Sequence, residues 1–154
     1  MKKVMFGCNS GGHLTEMLKL HNVMVKYEYM LVTEKTVITE KIKNKYNIKF
    51  VKYMSRKNII TYLFNGFINI IISIYNIIKF NPKIIISTGA CVGAKYCFSG
   101  KILGKKIIYI ESASRIDTLS GTGKVMYKIA DKFYVQWEEL EQKYNKSEYI
   151  GRLM

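Results

Sequence analysis

Short apolar runs alternate with amphipathic stretches along the whole chain, and the alternation predicts its elements. Lys3–Gly7, Tyr29–Thr33, Ile48–Tyr53, Lys83–Ser87, Lys106–Ile110 and Lys132–Val135 are dominated by Val, Ile, Phe and Tyr. Continuous apolar runs of this kind are the pattern of strands buried on both faces. Tyr149–Ile150 predicts one more strand end. Between them, Leu14–Lys26 carries Leu14, Met17, Leu18 and Leu20 at helical spacing. Val37–Tyr46, Asn58–Lys79, Ala90–Leu103, Thr122–Ala130 and Gln136–Tyr144 also predict helices, with Pro82 closing the second of these five. Strands and helices in strict alternation predict an α/β fold, a doubly wound parallel sheet of Rossmann-like type. The 154 residues suit one such domain. In open parallel sheets ligands bind outside the carboxyl ends of the strands. The loops after Gly7, Thr33, Tyr53, Ser87 and Ile110 are therefore where chemistry is expected.

The stretch from Asn58 to Ile78 contains no charge and is flanked by Arg56, Lys57 and Lys79. Its length alone fits a transmembrane helix. Its pattern is less simple. Asn58, Thr61, Asn65, Asn69, Ser73 and Asn76 recur every three or four residues and form one narrow polar stripe. Apart from Gly66, the rest of the helix is Ile, Leu, Phe or Tyr, more apolar surface than one sheet face needs. A core helix, a helix lying in a membrane interface and a true span all satisfy this pattern. A span would remove the crossover between the third and fourth strands.

Composition adds a partner class. The formal net charge is +14, which favours nucleic acid, a phosphorylated ligand or an anionic membrane surface. Lys, Ile, Asn and Tyr run high together while Arg is scarce, the composition of an AT-rich genome, so part of the excess lysine is a solvated face. No nucleic-acid recognition motif accompanies the charge, and no nucleic-acid partner is expected. Anionic lipid headgroups are a plausible partner for a cationic chain with such a helix. Cys8, Cys91 and Cys97 are odd in number and lack metal-ligand spacing, so free thiols and no metal are expected. Met1–Lys3 leads directly into the first strand, so no secretory leader is expected.

The loop "FGCNSGGHLTEML" places Gly7, Gly11 and Gly12 between a strand and a helix. Helix N-termini preceded by glycine admit anions, because their N–H groups are unpaired. The dinucleotide pattern G-x-G-x-x-G is absent. Gly7 and Gly12 have P-loop spacing, but His13 stands where the P-loop lysine belongs. A tight turn with no ligand is the plain alternative. His13 and Glu16, three apart, share a helical face near the sheet edge and could do general-base work on a hydroxyl. Otherwise His13 caps the helix and Glu16 complements its N-terminus. "STGACVGA", Ser87–Ala94, and "ESASRIDTLSGTGK", Glu111–Lys124, are two further loops of glycine and hydroxyls at the same edge. Together the three suggest a phosphorylated or sugar-bearing ligand, with Arg115 suited to phosphate or else paired with Asp117 at the surface.

"GCNSGGHLTEM", "NPKIIISTGACVGA" and "KIIYIESASRIDTLSGTGKVMYKIADKFYVQW", in that order, resemble a known group. It is the bacterial capsule and exopolysaccharide proteins related to the acceptor-side, membrane-recruiting subunit of the two-part N-glycan UDP-GlcNAc transferase. The order is also similar to the N-terminal half of the peptidoglycan GlcNAc transferase. The resemblance implies one half of a split GT-B glycosyltransferase, peripheral on the cytoplasmic face of the membrane. Its implied partners are a donor-binding C-terminal-type subunit and a polyprenyl-diphosphate-linked sugar acceptor, with no cofactor of its own. Gly11, Gly12 and His13 match the acceptor-side loop, and Glu16 matches an acidic position of the accessory subunits. Glu111 falls where the peptidoglycan enzyme has a His-Glu pair, with Ile110 in place of the histidine.

The expected chemistry is an inverting, metal-independent displacement on a UDP-sugar, in which His13 is the base and Glu16 its orienter or the base itself. Ser10, Gly11, Gly12, Thr88, Gly89, Glu111, Ser112 and Arg115 are the expected acceptor and phosphate contacts. The eukaryotic subunit has a separate N-terminal membrane helix. Attachment here is expected to fall to Arg56, Lys57, Ile59, Ile60, Leu63, Phe64, Phe67 and Ile71. Two other functions fit less fully: a non-catalytic scaffold that recruits and stimulates a separate transferase, and a stand-alone nucleotide-binding enzyme.

Overall fold

The computed structural model describes residues 1–53 and 59–153. Its elements are β1 (Lys3–Gly7), α1 (Gly12–Lys19), α2 (His21–Met24), β2 (Glu28–Glu34), α3 (Val37–Lys41), β3 (Ile48–Val51) and α4 (Ile59–Phe80). Then follow β4 (Ile84–Ser87), α5 (Ala90–Ile102), β5 (Lys106–Ile110), α6 (Gly121–Ile129), β6 (Lys132–Val135), α7 (Glu138–Lys143) and β7 (Ser147–Tyr149). All seven strands are parallel, in the order β3-β2-β1-β4-β5-β6-β7. The doubly wound sheet expected from the alternation is what forms.

Successive residues of β1 point to opposite faces, and each face has its own core. Val4 and Phe6 join Leu14, Met17, Met24 and Leu31 under the first helices. Met5 joins Ile77, Ile85, Val92, Tyr96, Ile107 and Tyr109 on the other side, with Met126 and Leu140 of the later helices. The strand order reverses between β1 and β4, so the loops after these two strands diverge around a crevice. Here α5 comes unusually close to the sheet. A Cβ on Gly93 would stand 2.0 Å from Ser87 Oγ and 2.7 Å from the Gly7 carbonyl.

Three helices are shorter than expected, the last of them Glu138–Lys143 where Gln136–Tyr144 is predicted. The first breaks at Leu20, whose N–H bonds the Met17 carbonyl, and α2 then turns Met24 fully inward. The helix predicted over Val37–Tyr46 is helical only to Lys41, after which the chain runs on in turns whose N–H groups bond three residues back, Lys43 to the Glu40 carbonyl and Lys45 to the Ile42 carbonyl. The last strand is Ser147–Tyr149, a little earlier than expected.

The long helix α4 packs inside out. Its polar stripe faces the protein and its apolar side faces away. Asn69 and Ser73 are 1% and 0% exposed, whereas Ile60, Leu63, Phe64, Phe67, Ile71, Tyr75 and Ile78 each expose more than half of their surface. Asn69 bonds both backbone groups of Lys52, donating to the carbonyl at 2.9 Å and accepting from the N–H at 3.2 Å. Ser73 Oγ is 2.7 Å from Ser99 Oγ, and Asn76 donates to the Tyr96 hydroxyl at 2.7 Å. A core helix would bury its apolar side, so that reading fails. A span fails too, because both ends of α4 feed strands of one sheet and its stripe bonds α5. Asn58, Arg56, Lys57 and the side chain of Ile59 lie outside the described residues.

The Gly93 contact yields a stability prediction. Gly93→Ala is expected to destabilise the fold by about 2–3 kcal/mol through overpacking, measured by urea unfolding. Gly12→Ala, where a Cβ meets nothing within 4 Å, is expected to change stability by less than ~0.5 kcal/mol.

Candidate functional site

Three loops meet at the carboxyl edge of the sheet, and hydrogen bonds sew them together across the switch point. His13, in the first turn of α1, has Nδ1 2.8 Å from the Thr88 carbonyl. A carbonyl only accepts, so Nδ1 carries the proton and the neutral ring keeps its lone pair on Nε2. Thr88 Oγ1 returns a bond to the His13 carbonyl at 2.8 Å. Gly89 has φ +109, the left-handed side of backbone space, and a Cβ there would press on the His13 ring at 3.2 Å. Asn9 Oδ1 accepts from the Val92 N–H at 2.8 Å and so caps α5 from the β1 loop.

The loop after β5 is held by two carboxylates. Glu111 is 1% exposed. Its oxygens accept from the Ser112 N–H, the Ser120 N–H and the Ser120 hydroxyl, all at 3.0–3.1 Å. Ser120 in turn accepts from the Gly123 N–H and caps α6. Gly123 is required here, because a Cβ would lie 1.7 Å from Glu111 Oε2. Glu16 Oε1 accepts from Ser112 Oγ at 2.9 Å and the Ala113 N–H at 3.0 Å, while its Oε2 is buried without a hydrogen-bond partner.

These loops enclose a cavity of about 360 Å³. Asn9, His13, Ala90 and Cys91 form one wall. Ser112, Ser114, Arg115, Ser120, Gly121 and Thr122 form the other. Tyr62 of α4 closes a third side, with its hydroxyl 3.5 Å from Cys91 Sγ. The N-termini of α1, α5 and α6 converge on this space, and none carries an acidic residue in its first turn. Such a site presents N–H donors, hydroxyls and the Arg115 cation to an anion, and an imidazole lone pair to a proton.

The expected site residues fall into three groups. His13, Ser112 and Arg115 line the cavity. Thr88 and Gly89 lie behind His13, and Glu16 and Glu111 lie under the Ser112 loop. Ser10, Gly11 and Gly12 stand at the same sheet edge outside the wall. Ser10 bonds Glu34 at 3.3 Å, and both glycines are exposed. The ring of His13 is oriented by a backbone carbonyl rather than by Glu16. Glu16 shares its helical face, but its carboxylate is drawn to Ser112 and Ala113 instead. Asn9, Tyr62, Ala90, Cys91, Ser114, Ser120, Gly121 and Thr122 complete the lining and were not among the expected contacts, although all but Tyr62 lie within the loop motifs. That place in loops at the carboxyl edge is the signal that could have pointed to them.

The fold is a Rossmann-like α/β unit that matches the N-terminal half of GT-B-fold enzymes. The family model described as "Oligosaccharide biosynthesis protein Alg14 like" matches residues 3–153, and the chain belongs to that family. It is 28% identical over 180 residues to the UDP-N-acetylglucosamine transferase subunit ALG14 of Mus musculus, covering 99% of this chain and 83% of the relative. Identity to the corresponding subunit of Schizosaccharomyces pombe is 32% over 173 residues, covering 96% and 80%. Among solved structures, Acinetobacter baumannii MurG superposes with TM-score 0.74 at 13% identity over 90% of this chain. UDP-N-acetylglucosamine 2-epimerase from Rickettsia bellii does so with TM-score 0.74 at 13% identity over the whole chain. The chain spans 43% and 46% of those two proteins, and the likeness is one of fold.

The Glu111 network carries a direct consequence. Glu111→Gln replaces an acceptor oxygen by a donor amide facing the Ser120 N–H and hydroxyl. The expected loss is about 2–3 kcal/mol, read by urea unfolding; a loss below ~0.5 kcal/mol would contradict the network.

Proposed function

We propose that this chain is the acceptor-binding, membrane-associated subunit of a two-chain UDP-sugar transferase acting on a lipid-linked saccharide. The observation that carries the reading is Tyr62. It lines the cavity from a helix whose opposite side is an exposed apolar face. A ligand with a diphosphate head and a polyprenyl tail needs such a junction between a polar cavity and a hydrocarbon surface. Membership of the Alg14-like family and the names of the relatives agree with it. These named relatives are eukaryotic; the capsule or exopolysaccharide setting is the finer part of the proposal.

In the proposed reaction the acceptor diphosphate rests against the N-termini of α5 and α6 and Arg115. His13 Nε2 takes the proton of the acceptor hydroxyl. The hydroxyl oxygen forms its bond to the anomeric carbon while the bond from that carbon to UDP breaks, which inverts the configuration. UDP leaves with the bonding pair, held by a separate donor-binding subunit. Glu16 positions the Ser112 loop. A second reading, a scaffold that only recruits and stimulates the transferase, has one observation in its favour: His13 and Glu16 are both engaged in bonds that hold the loops together.

The exposed apolar face of α4 and the net charge of +14 support docking on a membrane surface, and its cytoplasmic side is part of the proposal. Inserting the outward apolar side chains of α4 is worth on the order of 10 kcal/mol before docking costs. Phe64→Asp with Phe67→Asp is expected to weaken binding to phosphatidylglycerol-containing vesicles more than about tenfold, since each phenylalanine contributes ~2 kcal/mol. Vesicle co-sedimentation reads this directly.

Catalysis is tested with the donor-binding partner present and a polyprenyl-diphosphate sugar as acceptor. His13→Ala is expected to lower kcat by about 10²–10⁴ with the fold intact. Full activity of both His13→Ala and Glu16→Ala would sink the catalytic assignment. A partner that turns over alone and is merely stimulated by this chain would establish the scaffold reading.

A further inference from the structure

Every backbone polar group from Glu111 to Ala113 has a partner. The Glu111 N–H bonds the Tyr134 carbonyl and the Ser112 carbonyl accepts from the Arg115 N–H. The Ser112 and Ala113 N–H groups go to the Glu111 and Glu16 carboxylates. The two remaining carbonyls are taken by consecutive side chains at the end of β6. Gln136 Nε2 donates to the Glu111 carbonyl at 2.9 Å, and Trp137 Nε1 donates to the Ala113 carbonyl at 2.7 Å. Complete pairing of three successive residues, mostly by side chains, fixes the segment that presents Ser112, Ser114 and Arg115 to the cavity.

Gln136 and Trp137 are themselves held from one place. The Leu153 N–H donates to Gln136 Oε1 at 2.6 Å. The Arg152 guanidinium lies over the Trp137 ring, 3.6 Å from its centroid. Gln136 is fully buried, so its amide has little freedom once both ends are bonded. Arg152 and Leu153 thus reach the cavity loop at one remove, through two side chains that do not line the cavity.

We infer that Arg152–Leu153 form a strap, and that Gln136 and Trp137 are positioning residues transmitting its hold to the Ser112–Arg115 wall of the acceptor site. The ligand affinity of the cavity then depends on residues that never touch the ligand. This deepens the proposed function and rests on it for the identity of the ligand, but not for the coupling itself.

Hydrogen–deuterium exchange of the full chain tests the coupling without ligand. In Trp137→Phe, which keeps a ring and loses the indole donor, and in Arg152→Ala, the amides of residues 112–115 are expected to exchange about three- to tenfold faster. Amides of β2 and β3 are expected to keep their rates. Unchanged exchange at 112–115 in both variants, or an equal acceleration across the whole chain, would overturn the strap. Trp137 is the single tryptophan, so its fluorescence also reports binding of farnesyl diphosphate as a short probe. Arg152→Ala is expected to bind the probe about threefold more weakly than the wild type, and equal affinity would overturn the transmission to the site. A wild-type protein that does not bind the probe would contradict the proposed ligand, and the exchange result would still decide the strap.

Discussion

The rotation of α4 about its own axis is the constraint on which the architecture turns. It is set by polar contacts. The side chain of Asn69 imitates a strand partner for Lys52, just beyond β3. Ser73 meets Ser99, and Asn76 meets Tyr96 of α5. An unpaired buried polar group costs about 1–3 kcal/mol, so turning α4 over would strand several at once. With the stripe fixed inward, the apolar side has nowhere to go but out. The same rotation carries Tyr62 to the cavity and ties the crossover from β3 to β4 against the sheet. The proposed membrane contact and the site geometry both depend on one set of hydrogen bonds.

At the switch point the chemistry depends on the backbone more than on side-chain pairs. The Thr88 carbonyl fixes the tautomer of His13 and leaves Nε2 with the lone pair. Gly89 supplies the left-handed residue that brings this carbonyl to the ring. Glu16 and Glu111 carry negative charge close to a proposed anion site, yet their bound oxygens face loop and helix donors. They spend their charge on shaping the wall, and the helix N-termini and Arg115 remain to meet the ligand.

Much of this was legible in the sequence, for physical reasons that differ by element. Buried parallel strands must be continuously apolar, and β5 and β6 begin and end where their runs do. The carboxyl edge follows from the alternation, so His13, Ser112 and Arg115 could be brought together without coordinates. The stripe on α4 was visible too, but not its direction. Periodicity says that two faces differ, and the usual rule sends the polar face outward. Here the backbone of Lys52 and the hydroxyls of Ser99 and Tyr96 demanded the reverse, and no local pattern contains them. Glu16 shares a face with His13 but takes partners some hundred residues away, at Ser112 and Ala113. Gln136 and Trp137 lay in plain view within a family motif. Their role depends on carbonyl groups, which every residue has and no sequence distinguishes.

In the proposed function the outward face of α4 lies in the membrane with the cavity beside it. Spin labels placed singly at Leu63, Phe67, Ile71 and Ile78 in a Cys91→Ser background would test it, since Cys8 and Cys97 are buried. Collision rates with oxygen and with a water-soluble nickel chelate would be read with and without phosphatidylglycerol vesicles. Adding vesicles should raise oxygen collisions and suppress nickel collisions at all four positions, while a label at exposed Lys19, on α1 across the sheet, stays accessible to nickel. Nickel access that persists at the four α4 positions on vesicles would contradict insertion of this face.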